Sequence, residues 1–312
     1  VLEYLGYQWR VLGTVALTEA NLRFLPGLQI RMLSGFYRAP DIMGWHAATL
    51  TMIGIVMAVR GATLQRAWPW MAVTAWGFLN CLISGRRKAV YMVAVFAAAF
   101  LFRYVRRLST SQAIAFLFAG LAVAIVIQKV GQDEAASVYT RGAATTQDEV
   151  FSRLEGGFFE TIRQTGVMGG GLGTATQGVY HVLSEKAAEK MGWQEGGLGK
   201  LTMELGVPGV AAVAFLAFAL LSLMLKISRY PDVPGSSQVL RASLFGIVIS
   251  NVVEFMVSAQ AYSDAVLTLM TAFFVGCLLA TAILDERLLA AAPVATPAAA
   301  PAPRPGTAPV TA

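Results

Sequence analysis

The chain has 312 residues, of which 56% are hydrophobic and only 13% charged, with a formal net charge of +6 and a mean hydropathy of +0.60. An ordinary soluble domain, in which roughly 25% of residues are charged, is excluded; the apolar excess must face lipid. The positive charge does not point to nucleic acid, because it is gathered in basic clusters beside apolar segments, as the flanks of membrane spans are.

In chain order, residues 1–42 carry Glu3, Arg10, Glu19, Arg23, Arg31 and Arg38 and are too polar for a span. They read as an extracytoplasmic loop with interfacial helices. The first residue is Val1, so the expectation is a chain that begins partway through a longer protein, with further spans ahead of it. A membrane span needs about 20 apolar residues, and residues 43–130 offer about four candidates. These are Met43 to Val59, Trp68 to Ile83, Ala89 to Phe102 (short, extensible through Tyr104) and Ala113 to Val130. A polar interruption, 131–204, follows. About three more spans occupy 205–288: Leu205 to Leu225, Leu240 to Ala259 and Ala265 to Leu284. The Ala/Pro-rich remainder, 289–312, reads as a disordered tail. Together these predict an all-α fold, a polytopic transmembrane helical bundle with one large, mainly helical extracytoplasmic loop. Cys81 and Cys277 lie inside apolar runs and read as small buried hydrophobes, not as a disulfide.

Basic residues orient the spans. With Arg60 and Arg66 on the cytoplasmic side, alternation places Arg103, Arg106 and Arg107 there, then Lys226 and Arg229. The long polar segment then falls on the outer side. One turn breaks the rule: Ser84-Gly85-Arg86-Arg87-Lys88 is strongly basic yet also falls outside. Either the span count is off by one, or these cations are held there to bind an anion. Arginine offers a planar fork matched to phosphate oxygens, and beside a membrane the obvious anion is a lipid phosphate or pyrophosphate.

The polar segment collects most of the carboxylates, including Glu155, Glu160, Glu185, Glu189, Glu195 and Glu204. Helical spacing runs from Arg153 through Phe159 to Arg163, and again from Ser184 to Met191, so most of these charges read as solvated helix faces. The glycines differ. Gly169 to Gly173, with Gly171 and Gly173 in the turn, permit sharp bending and close backbone approach, and their N–H groups suit an anion-binding concavity. No nucleotide site is indicated, since the stretch lacks a P-loop lysine and does not follow a strand. His181 is of the side-chain type whose ordinary range is near neutrality, which suits proton removal from a sugar hydroxyl. Glu195 and Glu204 are rival bases, Glu204 having a structural alternative as a helix-terminal acid. No grouping of ligands indicates a metal.

The order of these elements resembles the O-antigen ligase and polymerase superfamily of bacterial envelope proteins. The elements are Ser84-Gly85-Arg86-Arg87, Arg153 ahead of Phe158-Phe159, Gly169 to Gly173, His181, and Glu204-Leu205-Gly206-Val207-Pro208-Gly209. The resemblance covers roughly residues 35 to 225. It differs from the family pattern in placing His181 further ahead of Glu204, and in Arg-Arg-Lys where Ser-Arg-Gly is usual. It implies a metal-independent, inverting glycosyltransferase with no cofactor, in the bacterial inner membrane, using an undecaprenyl-pyrophosphate-linked glycan donor. A glycan or lipid-linked acceptor, membrane lipid and envelope polysaccharide assembly proteins would be its partners. In that scheme Arg86, Arg87, Lys88, Arg153 and Arg163, with the turn at Gly171 and Gly173, hold the pyrophosphate. His181, Glu195 or Glu204 activates the acceptor. Polymerisation is favoured over ligation to a lipid A core. The competing class is a transporter or flippase of lipid-linked sugars, for which Glu254, the one deep acid, is the feature to weigh.

Overall fold

The computed structural model describes residues 22–25, 28–35, 37, 39–61, 63–104, 151, 154–175, 194, 196–228, 238–259, 262 and 264–291. The predicted span 113–130, the helix 184–191, Arg153, His181, Glu195 and the Ala/Pro-rich tail lie outside the described residues.

The first described element corrects an expectation. Instead of interfacial helices, residues 22–31 form a short antiparallel hairpin, β1 (Leu22–Leu25) with β2 (Leu28–Arg31), in the register Leu22↔Arg31 to Leu25↔Leu28. Alternating apolar residues on either side of the turn-favouring Pro26-Gly27 pair account for it in sequence terms. Every other regular element among the described residues is helical.

Helix α1 (Pro40–Arg60) starts with Pro in its first turn, where the missing N–H is no loss, and carries Asp41 at the positive end of the helix dipole and Arg60 at the negative end. Helix α2 (Leu64–Ile83) returns antiparallel to it. Small residues let the two approach closely: a Cβ on Gly54 would lie 3.0 Å from the Thr74 backbone nitrogen, and one on Gly77 equally near that of Thr51. Both threonines return their hydroxyls to their own helices, Thr51 to Ala47 O and Thr74 to Trp70 O, each at 2.8 Å, so the contact leaves no polar group stranded. A tight turn through Ser84 and Gly85 leads into α3 (Arg87–Tyr104). The chain bends there because Gly85 has φ +70°, with Met32 packed against it.

After a π-helical turn at Gly156–Glu160 comes the short α4 (Thr161–Thr165). Helix α5 (Gly197–Ser228) is long and broken at Gly206, whose φ of 66° and ψ of −172° are not helical. Pro208 then falls in the first turn of the second half, where its ring is tolerated. Helices α6 (Gln238–Val257) and α7 (Ala265–Ala291) complete the bundle.

Helix α6 lies at the centre. Gly246 receives Phe96 of α3, and Ser250 meets Met52 of α1. Trp45, Met52, Phe96, Phe100, Phe245 and Leu267 form a continuous core across α1, α3, α6 and α7. Arg241 and Asp285 form a buried ion pair at 2.7 Å between α6 and α7. Outward surfaces are apolar: Trp68, Trp76, Phe215, Phe218 and Phe273 are all exposed. Among the described residues, four helices are long and apolar enough to cross a membrane: Pro40–Arg60, Gly197–Ile227, Gln238–Val257 and Ala265–Arg287. Helices α2 and α3 coincide with the second and third predicted spans. They stand apart from those four because Gln65, Arg66 and Asn80 interrupt the one, and Arg87, Lys88 and Arg103 the other.

A polar hub ties three helices together. Asn251, buried in α6, has its Oδ1 2.8 Å from Trp45 Nε1, 2.9 Å from the Tyr262 hydroxyl and 3.3 Å from Thr271 Oγ1. Replacing Asn251 by Ala removes the shared acceptor and leaves a buried indole N–H without its partner. The expected loss is about 1–3 kcal/mol, to be measured by thermal unfolding in detergent. A variant as stable as the parent would show that the hub is not a stabilising junction.

Candidate functional site

Two constructions lie at the same end of the bundle. The first is a charged cluster. Arg86 and Lys88, at the start of α3, both reach Asp41 at the start of α1, Arg86 with a 2.8 Å ion pair. Lys88 also donates to Ser258 Oγ at 2.6 Å, just past the end of α6. Asp41 is buried, whereas Arg86 keeps about a quarter of its side chain accessible (26%). Helices α1 and α3 both begin here and α6, running the other way, ends here, which brings residues 41, 88 and 258 to one level. Sequence reasoning missed Asp41, having treated residues 1–42 as generally polar. The available signal was an acid directly after a proline at the head of an apolar run. Two of the three out-of-place cations thus share an internal counter-charge. Arg87 is half-buried at the first position of α3.

Nearby, Glu254 is buried in the last turn of α6. The loop after it carries Tyr262, which packs edge-on against Phe255 at 5.5 Å. Burial, and secondarily the Glu254 charge, push the Tyr262 hydroxyl well above the usual phenol range, so it remains a neutral hydrogen-bond donor to Asn251. Glu254 therefore lies towards one end of the bundle and not at the middle of a span.

The second construction is the break in α5. The loop after α4 docks into it through backbone alone: Gly170 N–H donates to Met203 O at 2.6 Å, and Val207 N–H donates to Val167 O at 2.8 Å. These two bonds satisfy groups that the interruption of a helix leaves without intrahelical partners. Contact is close enough to demand glycine on both sides. A Cβ on Gly206 would fall 2.4 Å from Val167 O, and one on Gly169 would fall 2.5 Å from Gly206 N, with φ positive at both residues. Two motifs separated in sequence, Gly169 to Gly173 and Glu204-Leu205-Gly206, are therefore one structure. Glu204 Oε1 is buried here without a hydrogen-bond partner among the described residues.

The glycines around this junction divide by role. Gly171 and Gly173 have positive φ (96° and 86°) with open space where a side chain would go, so they shape the turn and leave its backbone approachable. Gly197 and Gly199 serve packing: the first lies against Phe255 O of α6, the second against Gly157 of the π-helical turn. Gly197 also links the two constructions, because the end of α6 that it touches is the end that holds Lys88. Arg163, on α4, is exposed and pairs loosely with Glu160 at 3.6 Å. It borders a shallow open groove with Phe151, Glu155 and Phe159, apart from the charged cluster.

The chain matches no family model, no curated protein and no solved structure. The class the fold defines is that of a helical protein with four helices, among the described residues, able to cross a membrane. Both cysteines are free thiols, Cys81 buried in α2 and Cys277 half-buried in α7.

Proposed function

We propose that the chain is a membrane glycosyltransferase of the O-antigen ligase and polymerase type, joining undecaprenyl-pyrophosphate-linked glycan units at the outer face of the bacterial inner membrane. The observation that carries this reading is the junction of the glycine loop with the Glu204-Leu205-Gly206 break, at the bundle end that also bears Arg86, Arg87 and Lys88. These are elements of the family-like pattern.

In the proposed reaction the arginines stabilise charge building on the departing pyrophosphate, and an adjacent base removes the proton of the incoming sugar hydroxyl. Attack opposite the leaving group inverts the anomeric centre. His181, Glu195 and Glu204 are the candidate bases; the buried, unpartnered Glu204 Oε1 gives that carboxylate an observation of its own.

The test compares glycan chain length in cells lacking the chain with cells complemented by Arg153→Lys, Arg87→Ala, His181→Ala, Glu195→Gln or Glu204→Gln at matched protein levels. Loss of a transition-state contact should cost roughly 100-fold or more in transfer rate, and long polymer should disappear. A lysine at 153 fails because a point charge does not reproduce bidentate geometry. An unaltered glycan profile in cells lacking the chain would falsify the reading.

The broken α5 gives one specific observation to the transporter or flippase reading, since discontinuous helices are a mark of that class. The break lies near the end of the bundle, however, and not at its middle. Purified protein in nanodiscs with a polyprenyl-pyrophosphate-linked oligosaccharide separates the classes. A new glycosidic bond supports transfer. Movement of the lipid across a liposome bilayer with no new bond supports transport.

A further inference from the structure

The loop that docks into the α5 break presents Val167, Met168 and Leu172 outward, Met168 and Leu172 at 77% and 82% exposure. Three large apolar side chains on a nine-residue stretch otherwise rich in glycine call for an occupant. Its identity follows from depth. Val207 begins the apolar half of α5, and from Val207 to Ser228 the helix rises roughly 33 Å, close to the ~30 Å of a bilayer hydrocarbon core. Gly206 therefore marks the lipid–water boundary of this span. The described side chains between Leu205 and Gly197, with Lys200 and Glu204 among them, are largely packed in protein, whereas Phe215, Leu216 and Phe218 beyond the break are exposed.

Val167 and Met168 share that level, because Val167 O accepts from Val207 N–H and the Met168 carbonyl carbon lies against Gly206. Their apolar surface is continuous with the start of the lipid-facing surface of α5. We propose that the Val167–Leu172 loop is a membrane-inserted anchor, its Val167, Met168 and Leu172 side chains embedded among the acyl chains of the leaflet at this end of the bundle. At that depth the Val167 carbonyl is bonded to Val207 N–H and the Gly170 N–H to Met203 O, so the loop is held by protein where it joins the helix break, as irregular backbone in a membrane must be. The inference does not depend on the glycosyltransferase reading; it rests only on α5 being a span.

Spin labels on single cysteines test it, in full-length protein carrying Cys81→Ala and Cys277→Ala and reconstituted in phosphatidylethanolamine–phosphatidylglycerol nanodiscs. Met168→Cys and Leu172→Cys are compared with Phe218→Cys as the span reference and Glu155→Cys as the aqueous one. Labels at 168 and 172 should collide with oxygen and be shielded several-fold from the aqueous nickel complex, as at 218 and unlike at 155. Nickel access at 168 and 172 equal to that at 155 overturns the proposal. Shielding from both reagents that persists in detergent also overturns it, because the loop is then covered by protein. If the Phe218 label itself is open to nickel, α5 is not a span there and the anchor fails with it, whatever the outcome of the glycan assays.

Discussion

Gly206→Val should lower the unfolding free energy of the detergent-solubilised protein by on the order of 4 kcal/mol, while Gly171→Ala should cost only about 1–2 kcal/mol. Both residues have positive φ, so the difference isolates what the tertiary contact adds. At Gly171 nothing occupies the space of a new Cβ. At Gly206 the Cβ would meet Val167 O and the Met168 carbonyl carbon at 2.4 Å, and these are backbone atoms that cannot rotate away. The loop must withdraw, and the Gly170–Met203 and Val207–Val167 hydrogen bonds go with it. Each is worth about 1 kcal/mol net, on top of the strain of a β-branched residue in the left-handed region. Proteolysis offers a second measure: cleavage between 166 and 175 should accelerate in Gly206→Val and hardly change in Gly171→Ala. Equal stability losses in the two variants would show that the docked loop contributes nothing beyond its own backbone geometry.

Asp41→Ala should be nearly as severe, with an expected loss of about 3–5 kcal/mol. The carboxylate is buried and shared by Arg86 and Lys88, so its removal leaves two partly desolvated cations against each other. Arg86 is a quarter exposed and recovers some hydration, which sets the estimate towards the lower part of that range. The decisive comparison is Asp41→Asn with Lys88→Met. Removing a cation together with its partner should restore most of the stability lost in Asp41→Asn alone, because the cost of breaking a buried pair is mainly the charge left behind. Additive losses in the double variant would exclude charge compensation as the purpose of Asp41. In the proposed function the same substitution should displace Arg86, so glycan transfer should fall even in the double variant.

Helix positions were legible in the chain, with small exceptions that have physical causes. Apolar runs located α1, α2, α3 and α6 to within a few residues, and the start of α7, which continues seven residues past the predicted end at Leu284, since hydropathy is a local property that lipid reads directly. The span predicted from Leu205 begins instead as the second half of a longer helix. Gly206 was visible as a glycine, but the packed half ahead of it is too polar to register as part of a span. The hairpin at 22–31 was misread because its short alternating strands were judged by charge content and not by their period of two.

The sequence alone determined that this is an apolar helical chain with helices able to cross a membrane, and it singled out the Arg86-Arg87-Lys88 turn, the glycine run and the Glu204-Leu205-Gly206 motif as the places that break the apolar pattern. Tertiary structure decided what those places are. Asp41 meets Arg86 and Lys88 only because α2 carries the chain back so that α1 and α3 begin at one level, and Asn251 is a hub only because α1, α6 and α7 converge on it. Gly169 and Gly206 are one joint because two backbones touch. Charge pairing and close approach depend on distance through space, and no local pattern along a chain reports which distant residue will supply the partner.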